Sequence, residues 1–458
     1  MSDVPADLLG RLRAHGQEHV LHGWDRLSEQ DQRSFIVQLA SIDLDEIASL
    51  YQRKNEPEYV LPPLERIQPI PVADASVSPS VRALGEEALR LGEVAALIVA
   101  GGQGSRLGFD KPKGMYPVGP VSQATLFQIH AEKVAALGRR HGKAIPLLIM
   151  TSPATDAETR AFFQEHRFFG LDPASMTFFQ QGTMPAVSAA TGQLLLEGPG
   201  RLFMSPNGHG GTLTALAEQG VLSELKARGI RHVYYCQVDN PLLKICDPDF
   251  LGSHIQGRSE ASSKVVFKEK PEEKVGVLAL LEGKCGIIEY IFLPRAMAEE
   301  RDAAGNLLYR AGSPAIHLFT LEFLERVIST SGLPFHIAQK AVIHWDPASR
   351  QTIDPGKTPN ALKFERFIFD ALPLAERYLA METRRSEEFS PLKNATGADS
   401  PETVKADQSA LHTRWLEQAG GAANGFPLEI SPLFALDAEE LASKIRPGHR
   451  LTGPTYLR

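Results

Sequence analysis

The chain has 458 residues, too many for one compact core, so two or three domains are expected. An ordinary globular composition with a net charge of −7 gives no basic footprint for nucleic acid. No apolar stretch approaches a membrane span, and Met1 to Gly16 carries charges where a signal peptide needs an apolar core, so a cytoplasmic protein is expected. Cys236, Cys246 and Cys285 are odd in number and lack CxxC spacing, so neither a disulfide framework nor a structural zinc site is indicated, and reduced, mostly buried thiols are expected.

Residues 1–90 read as a helical N-terminal region without a catalytic grouping. Ser28 and Asp31 predict a capping box ahead of the apolar helical face Phe35, Ile36, Leu39 and Ile42. Leu61 to Ser80, rich in proline and small residues, predicts an extended connection. From Glu93 the chain repeats strand, loop and helix. Strands are expected over Val94–Ala100, Ile145–Met150, Met176–Gln180 and His232–Val238, and helices over Thr125–Leu137, Ala154–His166 and Thr212–Arg228. This is the pattern of a parallel α/β sheet, whose ligands sit beyond the carboxyl ends of the strands. After Ser262 the shorter runs KVVFKEK, VGVLALLEG and GIIEY predict an antiparallel or mixed extension, and Ala315–Thr320 adds a strand. Asn360–Arg385 reads as a long helix interrupted at Pro373. A catalytic domain is expected over 91–385 and a small C-terminal domain over 386–458.

The richest stretch is Val94 to Gly119. A buried strand runs into AGGQGSRLG (Ala100–Gly108) and then PKG (Pro112–Gly114). Gly101, Gly102 and Gly104 are expected to permit positive φ and a close approach of backbone N–H groups to a phosphate, while Arg106, Lys111 and Lys113 supply positive charge. A dinucleotide-binding GxGxxG from Gly102 would need glycine where Leu107 stands, which disfavours an oxidoreductase. A Walker loop from Gly104 would need glycine where Phe109 stands.

On AGGQGSRLG and PKG the chain resembles the eukaryotic-type UDP-sugar pyrophosphorylase family, most closely its N-acetylhexosamine branch, from roughly Leu91 to the C-terminus. The resemblance implies a Rossmann-like, GT-A-like nucleotidyltransferase fold, with a mixed sheet flanked by helices. It also implies attack of a sugar-1-phosphate oxygen on the α-phosphorus of UTP, with Mg²⁺ as cofactor and pyrophosphate leaving. Neither nucleic acid nor membrane is implied as a partner, and a monomer is compatible with it.

Residue by residue, the resemblance places Val99, Ala100, Gly101 and Gly102 against the nucleotide. It makes Lys113, Arg106 and Lys393 (in SPLKNA) the catalytic cations and Lys363 (in PNALKFE) a further phosphate contact. Asp239, ending the apolar strand in QVDN, matches the metal and nucleotide position; one carboxylate suffices for Mg²⁺ beside phosphate oxygens and waters. Gln181 in FFQQG and Gly208 in PNGHGG match the readers of uracil, where an amide offers both donor and acceptor. Gly276, Glu289, Tyr290 and Lys393 match the sugar side. Two positions depart from the N-acetylhexosamine pattern: His209 and Ser313 each stand where that branch has Asn. Histidine in this context resembles the glucose and broad-range enzymes instead, which implies a relaxed sugar preference. A nucleotide-sugar-binding protein without turnover is the alternative of another class; retention of Arg106, Lys113, Asp239 and Lys393 favours the enzyme.

Overall fold

The computed structural model describes residues 4–57, 59–330, 332–446 and 448–458. Val94–Val99 is a run of branched and small apolar residues, and such a run is stable only where both sheet faces are covered. It lies inside the main sheet, parallel to Leu147–Thr151 on one side and to His232–Gln237 on the other. Met176–Gln180 lies beyond Leu147–Thr151. The chain fills one side of Val94–Val99 before crossing to the other, so the strand order reverses between Val94–Val99 and His232–Gln237. In doubly wound sheets the crevice at such a reversal holds the ligand.

Beyond His232–Gln237 the sheet turns antiparallel. His317–Thr320 pairs with it, Ala261–Phe267 pairs with His317–Thr320, and Tyr378–Glu382 runs parallel to Ala261–Phe267. The hairpin Val277–Leu281 with Lys284–Ile288 continues the extension. The expected mixed sheet is therefore present. Leu126–His141 covers it, capped by the Thr125 hydroxyl and stopped by left-handed Gly142, with Phe127, Ala131, Val134 and Leu137 buried.

Two expected helices differ. Thr212–Arg228 is two helices, Gly211–Glu218 and Val221–Ala227, because Gly220 at φ 73° breaks the run. Asn360–Arg385 is not a helix but the strand Ala361–Glu365, a 3-10 turn Ile368–Leu374 around Pro373, and the strand Tyr378–Glu382. Buried Leu362 and Phe364 alternate with less buried Lys363 and Glu365, and sheet partners on both sides decide against helix propensity. Within the extended connection, Ile67–Pro69 and Val72–Ala73 are short strands added to the sheet.

The described chain forms two compact units that do not follow the 1–90, 91–385 and 386–458 segmentation. One comprises the segment ending at Val60, Gln181–Gly211 and Leu333–Ile368. Its core joins Leu12, Trp24, Phe35, Leu39 and Ile47 to Val187, Leu194, Leu362 and Phe364, so the N-terminal helices pack as part of a mixed unit. Ser28 caps Glu29–Ala40 there, its oxygen accepting the Asp31 N–H. The other unit comprises Leu61–Gln180, Thr212–Gly332 and Phe369–Arg458 and holds the main sheet. Residues 386–458 stay with it, although Leu416, Leu428, Ile430 and Leu441 make a small core of their own. All three cysteines are free and buried.

Candidate active site

The loop after Val94–Val99 leaves the sheet at Ala100, whose N–H still donates to Met150 O at 2.8 Å. It then folds back on itself. Gly104 N donates to Lys111 O at 3.0 Å and Lys113 N to Gly102 O at 3.1 Å, so Lys113 returns beside the start of the loop. The expectation of positive φ at Gly101, Gly102 and Gly104 is corrected, since in this loop only Gly108 is left-handed, at φ 65°. Close approach accounts for Gly104 and for Gly114 further along. A Cβ on Gly104 would come within 2.8 Å of Phe109, and one on Gly114 within 2.3 Å of the Phe127 ring. A Cβ on Gly102 would meet nothing within 4 Å, which leaves open space over an exposed stretch of backbone. Arg106 lies on the 3-10 turn Ser105–Leu107 and is exposed.

The carboxyl end of the neighbouring strand supplies the opposite charge. Val238 N donates to Val99 O at 3.1 Å, which sets the two strand ends level, and Asp239 follows. Lys113 Nζ lies 3.1 Å from Asp239 Oδ2, with the side chains only 19% and 12% exposed. Sequence-distant residues expected to meet the same phosphates thus meet each other. Lys393 is exposed and belongs to the same unit; Leu392 N, just before it, donates to Asp239 O at 2.8 Å. Among the described residues no three His, Cys, Asp or Glu side chains gather as a metal cage. Asp239 is a single carboxylate at this strand end, an oxygen donor of the kind a hard cation takes.

Gly276, Glu289 and Ser313 also come together in this unit. Ser313 N donates to Gly276 O at 2.8 Å, and a Cβ on Gly276 would stand 3.4 Å from Glu289 Oε1. Tyr290 is 42% exposed. The Ser313 hydroxyl accepts the Ala315 N–H at 3.3 Å, which leaves its own proton for donation.

Gln181, Gly208, His209 and Lys363 belong to the other unit. Gln181 is buried, and the adjacent Gly182 accepts from Asn207 N at 3.1 Å. Gly208 has φ 81°, and a Cβ there would lie 2.4 Å from Arg366 O, so glycine is required twice over. Gly210 N donates to Arg366 O and Arg366 N to Asn207 O, both at 2.7 Å, lacing PNGHGG to the end of the strand that carries Lys363. His209 packs on Phe367, and its Nδ1 accepts the Ile368 N–H at 3.2 Å. Burial, aided by neighbouring His336, lowers its pKa to about 4, so the ring is neutral with its proton on Nε2. Lys363 Nζ stands 5.1 Å from the Phe203 ring centroid.

A family model described as UTP–glucose-1-phosphate uridylyltransferase matches residues 53–400. The chain belongs to this family. It is 37% identical to the UDP-N-acetylhexosamine pyrophosphorylase-like protein 1 of Homo sapiens, over 98% of this chain and 96% of that one. It is 36% identical to the UDP-N-acetylglucosamine pyrophosphorylase of Saccharomyces cerevisiae, over 93% and 94%. The crystal structure of the Trypanosoma brucei uridine diphosphate N-acetylglucosamine pyrophosphorylase, solved with an inhibitor, superposes with a TM-score of 0.82 at 27% identity, covering 100% of this chain and 98% of that one. The similarity therefore extends into the N-terminal segment, beyond the reach of the motifs near Leu91.

Several residues that hold the Lys113–Asp239 pair in place are silent in the sequence. His130 Nε2 bonds Val238 O at 2.9 Å, and Lys133 Nζ donates to Pro241 O and Leu243 O at 2.5 and 2.6 Å, so one helix pins both flanks of Asp239. Both lie on Leu126–His141 beside its apolar face, and only the unusual inward placement of a lysine and a histidine there could have marked them. Burial lowers the Lys133 pKa to about 7. The unfolded chain, with lysine near 10.4, then binds the extra proton between pH ~7 and ~10.4, so this group makes stability rise with pH across that window. Lys133→Met is expected to lose that part of the slope. Urea midpoints of both proteins measured from pH 6 to 10 check it, and parallel pH curves would show that the two carbonyls hold the ammonium's pKa near normal.

Proposed function

We propose that the protein transfers the uridylyl group of UTP to a sugar-1-phosphate, preferentially N-acetylglucosamine-1-phosphate, and releases pyrophosphate in a Mg²⁺-dependent reaction. The observation that carries this reading is the Lys113–Asp239 pair, set on the family's glycine-rich loop at the crevice where the parallel strand order reverses. Both reactants are anions, so the work of such a site is to offset repulsion, align the groups and stabilise charge on the leaving pyrophosphate. Asp239 would hold the metal, which when bound neutralises phosphate charge. Lys113, beside Asp239 at the strand ends, would contact the phosphates, and Arg106 and Lys393, both exposed, would supply the remaining mobile charge. The buried Gln181 amide and the Gly208 backbone select uracil. No covalent intermediate is needed, and the buried Cys236 and Cys246 thiols, their pKa pushed up by burial, are not nucleophiles.

A panel of sugar-1-phosphates with UTP and Mg²⁺, followed by pyrophosphate release, tests the reading. Turnover that stops on chelation is expected. UTP binding with no turnover on any sugar would move the assignment to a nucleotide-sugar-binding protein.

The sugar preference has its own test. Relatives of this length are named for N-acetylated sugars, but His209 and Ser313 set an imidazole and a shorter hydroxyl where that branch has the amide of Asn, which changes the reach and the number of the hydrogen-bonding groups. Glucose-1-phosphate is therefore expected to be used as well. The double change His209→Asn with Ser313→Asn is expected to shift the ratio of kcat/KM values toward N-acetylglucosamine-1-phosphate by about tenfold or more. An unchanged ratio would remove these two side chains from the choice of sugar.

A further inference from the structure

Asp239 and Lys393 lie far apart in the chain, and the uridylyl-transfer reading uses both without saying what fixes their separation. Asn240 sits between their segments and is 3% exposed. Its Nδ2 donates to Glu388 O at 2.6 Å, and its Oδ1 accepts from Ser390 N at 3.1 Å and from Leu242 N at 3.2 Å. One residue earlier, Asp239 O accepts from Leu392 N at 2.8 Å. Asp239 and Asn240 thus form a short seam with residues 388–392, and Lys393 is the next residue along.

The far side of the seam is itself held. The Glu388 carboxylate accepts from Lys264 Nζ and from Thr383 Oγ1, and Lys264 Nζ also donates to Asp247 Oδ2 at 2.6 Å. Ser390 Oγ donates to Asp407 Oδ2 at 2.7 Å, on the helix Pro401–Gln418. An amide suits the joint because it donates to a carbonyl and accepts from an N–H of the same segment without carrying charge. A carboxylate would set an oxygen against Glu388 O, and alanine would leave the buried backbone groups without partners.

We propose that Asn240 is a positioning residue that holds the Asp239 carboxylate and the Lys393 segment at a fixed separation, without touching either reactant. The proposal rests on the uridylyl-transfer reading for its consequence, but the seam can be measured independently of turnover.

The test compares wild type with Asn240→Ala, Asn240→Asp, Lys393→Ala and the combined Asn240→Ala/Lys393→Ala variant, at saturating UTP, N-acetylglucosamine-1-phosphate and Mg²⁺. Asn240→Ala is expected to lower kcat by about 10²-fold with far less change in KM, as a small misplacement of a charged group would. Asn240→Asp keeps both accepting contacts but turns the donating one into an oxygen–oxygen repulsion, so it is expected to lower kcat as well, and it carries the test if the alanine variant does not fold. In the Lys393→Ala background, Asn240→Ala is expected to cost about tenfold less than in wild type, because no ammonium is left to misplace and only the Asp239 side of the seam still counts. Equal losses in both backgrounds, or an Asn240→Ala kcat equal to wild type, overturn the proposal. Amide exchange at Ser390 and Leu392 reads the seam itself: it is expected to accelerate by about tenfold or more in Asn240→Ala, while Val94–Val99 stays protected. Unchanged exchange at both amides overturns the proposal whether or not the chain turns over. A wild type that releases no pyrophosphate from any sugar sinks the uridylyl-transfer reading instead.

Discussion

Replacing Lys113 with alanine is expected to slow pyrophosphate release by about 10²–10³-fold, a rise of about 2.7–4 kcal/mol in the barrier, the usual cost of removing one positioned donor from a transition state that develops charge. The loop folds back so that Lys113 N bonds Gly102 O, and the ammonium reaches Asp239 at the carboxyl ends of two adjacent parallel strands. The same geometry makes Lys113 matter for stability. With 19% and 12% of the two side chains exposed, truncating Lys113 leaves the Asp239 carboxylate largely out of water without its partner. Removing one member of a fully buried pair costs about 3–5 kcal/mol, and residual solvent contact reduces the figure here. Single-turnover pyrophosphate release and urea midpoints separate the two effects, and a Lys113→Ala rate within about threefold of wild type would show that the loop does not carry the chemistry.

The strands that position this loop were legible because their residues are apolar without interruption, a pattern that survives only in a sheet covered on both faces. Met176–Gln180 matched the expected strand in full. Ala361–Glu365 was not legible as a strand, since LKFERFIF carries helix-forming residues and only pairing with His336–Lys340 and Val187–Ser188 decides its conformation. The unit that combines the N-terminal helices with Gln181–Gly211 and Leu333–Ile368 was hidden for a related reason. Its core is assembled from three separated segments, and no local pattern announces contacts of such long range. At the site, motif residues could be named because glycine, lysine and aspartate are chemically conspicuous. The side chains that hold them, His130, Lys133 and Asn240, look like ordinary helix and turn residues until the carbonyls they bond are known.

Asp239→Asn is expected to lower turnover by about 10²-fold at ordinary Mg²⁺, since a neutral amide is a weak ligand for a hard cation and no cage of three His, Cys, Asp or Glu side chains stands in for it among the described residues. Raising Mg²⁺ should restore part of the rate in this variant and none in Lys113→Ala, whose defect lies in the phosphate contact. The stability effects should run differently. The Asn carbonyl can still accept from the Lys113 ammonium, so Asp239→Asn costs less than Lys113→Ala, which strands a carboxylate. Combining the two removes the stranded charge, and the double variant is therefore expected to be more stable than Lys113→Ala while remaining as inactive as the worse single variant. That divergence distinguishes a pair kept for its chemistry from one kept for the fold. If Asp239→Asn turns over normally at low Mg²⁺, the carboxylate is a partner for Lys113 and nothing more, and the metal has to be held by other groups.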